Sequence, residues 1–501
     1  MQQTANRFVA PTAGAYSWAE RPVWVWAAVL ALVGARLIAA AVVDLGPDEA
    51  YYRLWSLYPD WSYYDHPPMV AWWIRIGTAI FGDSAFGIRA LFVLSGIPTS
   101  LVVYATGRIL FDRKVALLAV LWVNATLLVG VGGFLATPDA PAVMFWSVAI
   151  LAFALVAQTG NGRWWPAVGL SAGLAILSKL TALFLGPGLV LALVAIRALR
   201  RWLVNPWTYA GALVALVVLI PLILWNLDHG WVTLGSQFRR VAIEGFRPLG
   251  PPEFVGTQFL LLNPLVAIFA GLAAVVAARR IAPYPVAGIA ILLWTAVPLV
   301  AYMTIHAFQE LIQGHWLAPV YPTLALAAAA AAQSAPGERW AGLRQVTFPV
   351  GAALTICGLV LAANPGGILP LMLDPGQAIR GWGSVASEAE RLREESGAEW
   401  IATDLYTVTA EIAYHLRESE ITVVPIAGRA RFVFAPAPDA ALAGEPALVV
   451  STHAGRDRLE HCFAEVTSLG TIERAHGGRV IEKLHVFLGR QGRPDLFSDE
   501  C

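Results

Sequence analysis

Charge is what this chain lacks most. Only 14% of its 501 residues are Asp, Glu, Lys or Arg, against roughly 25% in a soluble domain of average usage. The apolar share is 57% and the mean hydropathy is +0.62. Long apolar runs therefore place the chain among polytopic membrane proteins. Net charge is lacking too, because 34 basic residues balance 34 acidic ones, and this removes any global attraction to nucleic acid. The three cysteines, Cys357, Cys462 and Cys501, form no CxxC or metal-type spacing. Cys357 lies in an apolar run and reads as a packing residue, while a disulfide between the other two stays open. The N-terminal residues show no cleavable signal pattern, so the first apolar span is expected to act as an uncleaved anchor. Low-complexity tracts and internal repeats are lacking, and the C-terminal part holds no Gly-rich phosphate loop.

What is present is a series of roughly eleven apolar spans. They cover residues 22–43, 85–107, 115–133, 138–157, 164–178, 181–197, 206–225, 255–278, 283–304, 315–333 and 343–362. Lys and Arg favour cytoplasmic connections. With residues 1–21 as a cytoplasmic tail, one side collects Arg108, Arg113, Lys114, Arg163, Arg197, Arg200, Arg201, Arg279, Arg280, Arg339 and Arg344. The other side collects acids, among them Asp44, Asp48, Glu49, Asp65, Asp139 and Glu310, with Arg239, Arg240 and Arg247 mixed among them. This bias holds on both sides of the break at Ser178–Lys179. An odd number of spans then sends the C-terminus outside. The outer face receives connections 44–84 and 226–254 and a final domain, 365–501, following a membrane domain of residues 22–364.

From about residue 376 the pattern alternates. GQAIRGWGSVASEAERLREESG reads as a polar amphipathic helix and EWIATDLY as a strand. TVTAEIAYHLRE reads as a helix, and ITVVPIAG, PALVVSTH and VIEKLHVFLGR as further strands. That is a small α/β domain, expected to cover the membrane site or engage an acceptor.

Residues 44–68, DLGPDEAYYRLWSLYPDWSYYDHPP, concentrate the chemistry. Asp48 and Glu49 follow the first span. General-base catalysis needs a carboxylate within hydrogen-bond reach of the acceptor hydroxyl, and an acid anchored at a span end is held better than one in a free loop. The alternative is a pair of solvated loop acids. Asp65-His66-Pro67-Pro68 opens a short interfacial helix, MVAWWIRIGTAIFG; His66 and the helix N-terminus suit a phosphate. Between the two clusters stand Tyr51, Tyr52, Tyr63 and Tyr64. Asp139, in TPDAP, opens a later span and reads either as a site residue or as an N-cap. Lys179 lies between apolar spans, where an isolated ammonium needs a partner or an anionic ligand. Arg89, Arg239 and Arg240 are further phosphate candidates, because the arginine fork suits bidentate contact. His306 to His315 brackets Glu310 in a short outer connection.

In this order PDEAYY, YDHPP, TPDAP, LSKLTA and GHWLAPVYPTLAL resemble the C-type membrane glycosyltransferases, in the protein O-mannosyltransferase and lipid A aminoarabinose-transferase group. The resemblance covers residues 20 to 335. It implies a GT-C fold of eleven or more transmembrane helices and a catalytic aspartate at Asp48. It implies donor-phosphate contact at the position of His66, where the aminoarabinose branch usually carries lysine, with Asp65 as the neighbouring acid. It implies that Tyr51, Tyr52, Tyr63 and Tyr64 would stack on a sugar or close over it. Asp139 matches a donor-site or structural aspartate, and His315 a polar residue of the late connection. It further implies inverting transfer of a sugar from a polyprenyl phosphate, without a nucleotide sugar and without a required cofactor, a divalent metal staying open. The expected partners are that donor, a lipid, glycan or protein acceptor, and membrane lipids. The expected location is the bacterial inner membrane with the C-terminal domain in the periplasm. The rival class is a transporter or flippase of a lipid-linked or anionic substrate, which would favour repeats and ionisable groups near the bilayer midplane.

Overall fold

The computed structural model describes residues 21–239, 245–279, 283–363 and 376–498, together with Ala19 and Asp374; the side chains of 238, 239 and 283–286 lie outside the described set. Helix α1, Pro22–Val42, opens with proline at its first turn and ends where Val43 turns extended. Its single charge, Arg36, is buried. The Arg36 guanidinium donates to Gly130 O at 3.0 Å, Asn124 Oδ1 at 3.2 Å and Asn124 O at 3.3 Å. Those carbonyls end the helices Arg113–Asn124 and Leu127–Gly130, so the cation sits at two helix C-termini, where it is stabilised.

Among the described residues six helices are long and apolar enough to cross a membrane, or nine if three sharply bent pairs each count as one span. The six are Pro22–Val42, Ala85–Leu110, Asp139–Thr159, Pro206–Asp228, Ala287–His306 and Glu338–Ala363. Length alone therefore does not reach the expected eleven. The helices at 165–178 and 321–334 have 14 residues each. The expected span 255–278 is bent by 112° between Gly250–Leu261 and Pro264–Arg279. Asn263 makes that corner with a left-handed φ of 71°, and its amide donates to Ala125 O and Thr347 O. The chain does break at Lys179, which is extended between Trp165–Ser178 and the 3-10 turn Leu180–Phe184. Close helix crossings need glycine: a Cβ on Gly169 would lie 1.8 Å from Gly211 O.

The 44–84 connection is mostly helical. Helix α2, Pro47–Leu57, begins with Gly46 as N-cap, Pro47 at the first position and Glu49 at the third. This is a capping box in which Glu49 Oε2 accepts from Gly46 N at 3.0 Å. Asp48 and Glu49 are thus helix-terminal residues, and the loop reading of this segment is corrected. Helix α3, Met69–Phe81, follows the two prolines as expected. Arg53 closes the excursion on Asp83 through Nε at 3.2 Å and Nη2 at 2.5 Å. The helix Val232–Arg239 of the 226–254 connection clamps residues 62–65: Thr233 donates to Tyr63 O, Ser236 to Tyr64 O and Gln237 to Asp65 O.

The C-terminal domain holds one five-stranded sheet, ordered β2-β1-β3-β5-β4, with β1 Trp400–Thr403, β2 Val423–Pro425, β3 Ala447–Ser451, β4 Phe463–His476 and β5 Arg479–Gly492. β1 is parallel to β2 and β3, while β3–β5 and β4–β5 are antiparallel. The expected helices are present as Trp382–Ser396 and Tyr406–His415. β4 is the strand that sequence patterning missed. It is a mostly exposed edge, so it carries no apolar alternation, although the Gly477-Gly478 hairpin, with φ of 56° and 76°, is a turn signal for it. Cys462 is disulfide-bonded, Cys501 lies outside the described residues, and Cys357 is free and exposed.

Candidate active site

α2 lies between the membrane bundle and the C-terminal domain and is fixed by both. On the bundle side Glu49 is buried and accepts from Arg89 Nε at 2.8 Å, Arg89 Nη2 at 2.6 Å, Gly46 N at 3.0 Å and Ala136 N at 2.8 Å. Arg89 completes its fork on Val43 O at 2.6 Å, Ala40 O at 3.4 Å and Asp44 O at 2.7 Å. All five guanidinium N–H groups are therefore engaged with protein acceptors, and Arg89 does not line the cavity. Glu49 lines the cavity, and its four accepted hydrogen bonds tie α1, α2 and the Ala136 turn together; Arg89 is its counter-ion and lies behind it.

On the domain side, Tyr51 Oη donates to Arg431 O at 2.5 Å. Its ring meets Tyr406, Phe432 and Phe434 edge-on or tilted, with centroids 4.8–6.3 Å apart. Trp55 and Tyr63 stack in parallel at 4.4 Å. Tyr63 Oη donates to carbonyls of Trp55 and Tyr58, so Tyr63 is a buried strut away from the cavity. Of the four loop tyrosines, Tyr51 and Tyr52 line the cavity; Tyr63 and Tyr64 do not. The expectation that all four face a sugar is corrected for these two. One apolar cluster runs through both sides of the seam, joining Tyr51, Trp55 and Ile74 to Ala410, Tyr414 and Phe434.

Asp48 stands between these anchors at the second position of α2, exposed, next to a cavity of about 700 Å³. Tyr406 Oη, from the C-terminal domain, donates to Asp48 Oδ1 at 3.2 Å. The bond comes from a group of the C-terminal domain to a residue at the start of α2. Asp65 lines the same cavity and is ion-paired to Arg431. His66 is half-buried, edge-on to Tyr52 at 5.9 Å. Also in the lining, Lys179 Nζ meets Asp139 Oδ1 at 2.6 Å, with His315 Nε2 3.8 Å from Oδ2. Asp139 begins its helix at the first position; its carboxylate goes to Lys179, so the N-cap alternative is set aside. The buried ammonium of Lys179 has the acidic partner that its depth requires. Three motifs far apart in sequence thus meet on one wall, while Asp48, Asp65 and His66 form another part of the lining.

Arg239 lies in the helix that clamps residues 62–65, but its side chain, like all of Arg240, is outside the described residues. His306 pairs with Glu310 at 3.0 Å and does not line the cavity. Among the described residues, no three His, Cys, Asp or Glu side chains converge as a metal-ion set. Sequence reading missed Tyr406 and Arg431. Both follow carboxyl ends of parallel strands, after β1 and after β2, which is where open α/β sheets place ligand-facing residues.

A model of the dolichyl-phosphate-mannose-protein mannosyltransferase family matches residues 65–225. A lipid A galacturonosyltransferase of Rhizobium johnstonii is 29% identical over 406 residues, 76% of this chain and 79% of the relative. An undecaprenyl phosphate-alpha-4-amino-4-deoxy-L-arabinose arabinosyl transferase of Pseudomonas paraeruginosa is 32% identical over 200 residues, about a third of each chain (36%). In structure, ArnT from Cupriavidus metallidurans bound to undecaprenyl phosphate superposes with a TM-score of 0.68 at 17% identity, over 93% of this chain and 98% of that one. The apo Archaeoglobus fulgidus oligosaccharyltransferase follows at 0.53 and 14%, over 81% and 64%. The transporter alternative gains no support from these relatives. The fold is that of the GT-C membrane glycosyltransferases, and in sequence the chain is similar to members of the protein O-mannosyltransferase and aminoarabinose-transferase group.

Proposed function

We propose that this glycosyltransferase moves a sugar from a polyprenyl phosphate to a lipid acceptor of the lipid A class at the outer face of a bacterial inner membrane. In this reading the N-terminus is cytoplasmic and the C-terminal domain periplasmic, and the short and bent helices complete eleven spans. The observation that carries the reaction is Asp48, an exposed carboxylate at a helix N-terminus, held by Tyr406 at the rim of a large cavity. An acceptor hydroxyl gives its proton to Asp48, and its oxygen attacks the anomeric carbon. The bond from that carbon to the phosphate oxygen breaks, and its electron pair leaves with the lipid phosphate. Attack opposite the leaving group inverts the centre. If the acceptor oxygen is already anionic, Asp48 orients the acceptor and transfers no proton.

Asp139, Lys179 and His315 form a second polar group in the lining and would hold the donor's polar end. Lys179 brings a charge neutralised by Asp139, so this wall recognises by hydrogen bonding more than by net charge. No metal or organic cofactor has a step in this scheme. The enzyme, purified in detergent, should transfer label from a polyprenyl-phosphate sugar to lipid A. Asp48→Asn should lower the rate by at least about a hundredfold with an unchanged unfolding midpoint. A fully active D48N enzyme sinks the assignment. Product formed in detergent, without a sealed compartment, excludes pure transport.

A further inference from the structure

Among the described residues three Arg or Lys side chains line the cavity: Arg36, Lys179 and Arg431. Two are committed elsewhere. Arg36 is tied to two helix C-termini and is only 1% exposed; Lys179 is buried against Asp139. Arg431 differs. It sits in the 3-10 turn Arg429–Phe432 after β2, and its side chain is 28% exposed. One Nη is on Asp65. The guanidinium carbon lies 4.4 Å from the Tyr406 ring centroid and 4.9 Å from that of Tyr64. The Tyr51 hydroxyl fixes its backbone carbonyl.

We propose that Arg431 is an anion-binding residue of the transferase site, carried in by the C-terminal domain, and that it grips phosphate oxygens. The inference rests on the transferase reading above. A guanidinium has five N–H donors in a planar fork that matches two oxygens of a phosphate. Here the plane is set by two rings and by Asp65 before any ligand arrives, so little freedom remains to be lost on binding. The Asp65 carboxylate compensates the charge and leaves the Arg431 side chain partly exposed. Lys179 cannot serve in the same way, because its ammonium is buried and paired. The phosphate has two possible sources, the lipid carrier of the donor or a phosphate on the acceptor lipid, and they are separable.

The test uses the full-length protein in detergent with Arg431→Gln and Arg431→Lys. Affinity for undecaprenyl phosphate is measured without turnover, and KM is measured for acceptor lipids with and without phosphate. If the carrier phosphate is gripped, R431Q weakens undecaprenyl phosphate binding by at least about tenfold. If the acceptor phosphate is gripped, that binding is unchanged, and KM rises by about as much for the phosphorylated acceptor alone. R431K should restore only part of either loss, since it keeps charge but not the stacked fork. Both quantities within twofold of wild type, in a variant with an unchanged unfolding midpoint, overturn the proposal. If R431Q fails to fold, R431K, which can still pair with Asp65, carries the same measurements, and wild-type affinity and KM in it overturn the proposal. Binding is read without transfer, so a failure here is distinct from a failure of the Asp48 assignment, in which D48N would transfer sugar normally.

Discussion

Replacing Glu49 by Gln separates the roles of two adjacent acids. Glu49 accepts four hydrogen bonds, two of them from Arg89, which is itself fully buried. Gln keeps the shape but removes the charge. The Arg89 guanidinium is then left buried with carbonyls alone for partners. The new NH2 group would also point at donors, either Arg89 Nε and Ala136 N or Arg89 Nη2 and Gly46 N. Breaking one side of a buried ion pair typically costs roughly 3–5 kcal/mol, a large part of the total stability of most domains. Glu49→Gln is therefore expected to lower the unfolding midpoint in detergent strongly. Activity should fall in proportion to folded protein, with the turnover per folded molecule largely kept. Asp48→Asn should show the opposite pattern, a normal midpoint and little turnover. Thermal unfolding followed by intrinsic fluorescence, together with an active-fraction titration, reads both quantities. An E49Q enzyme with wild-type stability and D48N-like inactivity would refute the reasoning and make Glu49 the reacting acid.

Two further outcomes follow from the domain seam. Tyr406→Phe deletes the bond to Asp48, one hydrogen bond to a charged group; kcat should fall by up to about tenfold with donor KM little moved, and an unchanged kcat in steady-state assays removes Tyr406 from the site. Glu411 is fully buried, and neither carboxylate oxygen accepts a hydrogen bond. Burial first, then the nearby Glu49 and Asp44 carboxylates, hold its pKa well above the ordinary 4.5. The unfolded chain gives up this proton as pH rises past that ordinary value while the folded protein keeps it, so Glu411 costs stability increasingly above it. Glu411→Gln should thus be more stable than wild type near neutrality, with the advantage shrinking toward pH 4; identical unfolding midpoints at pH 5 and pH 8 would count against a buried neutral Glu411.

The motifs of the first two-thirds of the chain were legible because each combines a polar group with an apolar span. PDEAYY, YDHPP, TPDAP and LSKLTA marked Asp48, Asp65, Asp139 and Lys179, all of which line the cavity. Periodicity could not say which of two adjacent acids turns inward. The clue was local: with Gly46 and Pro47 starting a helix, Glu49 falls at the third position, where a carboxylate folds back on the N-cap. Arg89 in an apolar span likewise required a buried acid. Arg431 and Tyr406 had no such clue. Their partners lie 366 and 358 residues away, and neither belongs to an apolar pattern.

The position of these two residues nevertheless has a physical cause. Parallel strands β1 and β2 end on the same edge of the sheet, and the chain leaving each must turn there. Tyr406 opens the helix after β1, and Arg431 lies in the turn after β2. The same edge packs against α2 through Tyr51, Trp55 and Phe434. Docking that buries Tyr51 therefore also brings Tyr406 to Asp48 and Arg431 to Asp65; the contacts cannot be made separately without moving α2. Since α2 is locked to the bundle by Glu49 and Arg89, it is the rigid partner and the domain is the part that must fit. Asp48 and most of the cavity lining belong to the membrane segment, while Ala378, Ile379, Tyr406 and Arg431 of the domain complete the lining. The two groups that orient Asp48 and neutralise Asp65 arrive with the domain, so the complete site is a product of docking.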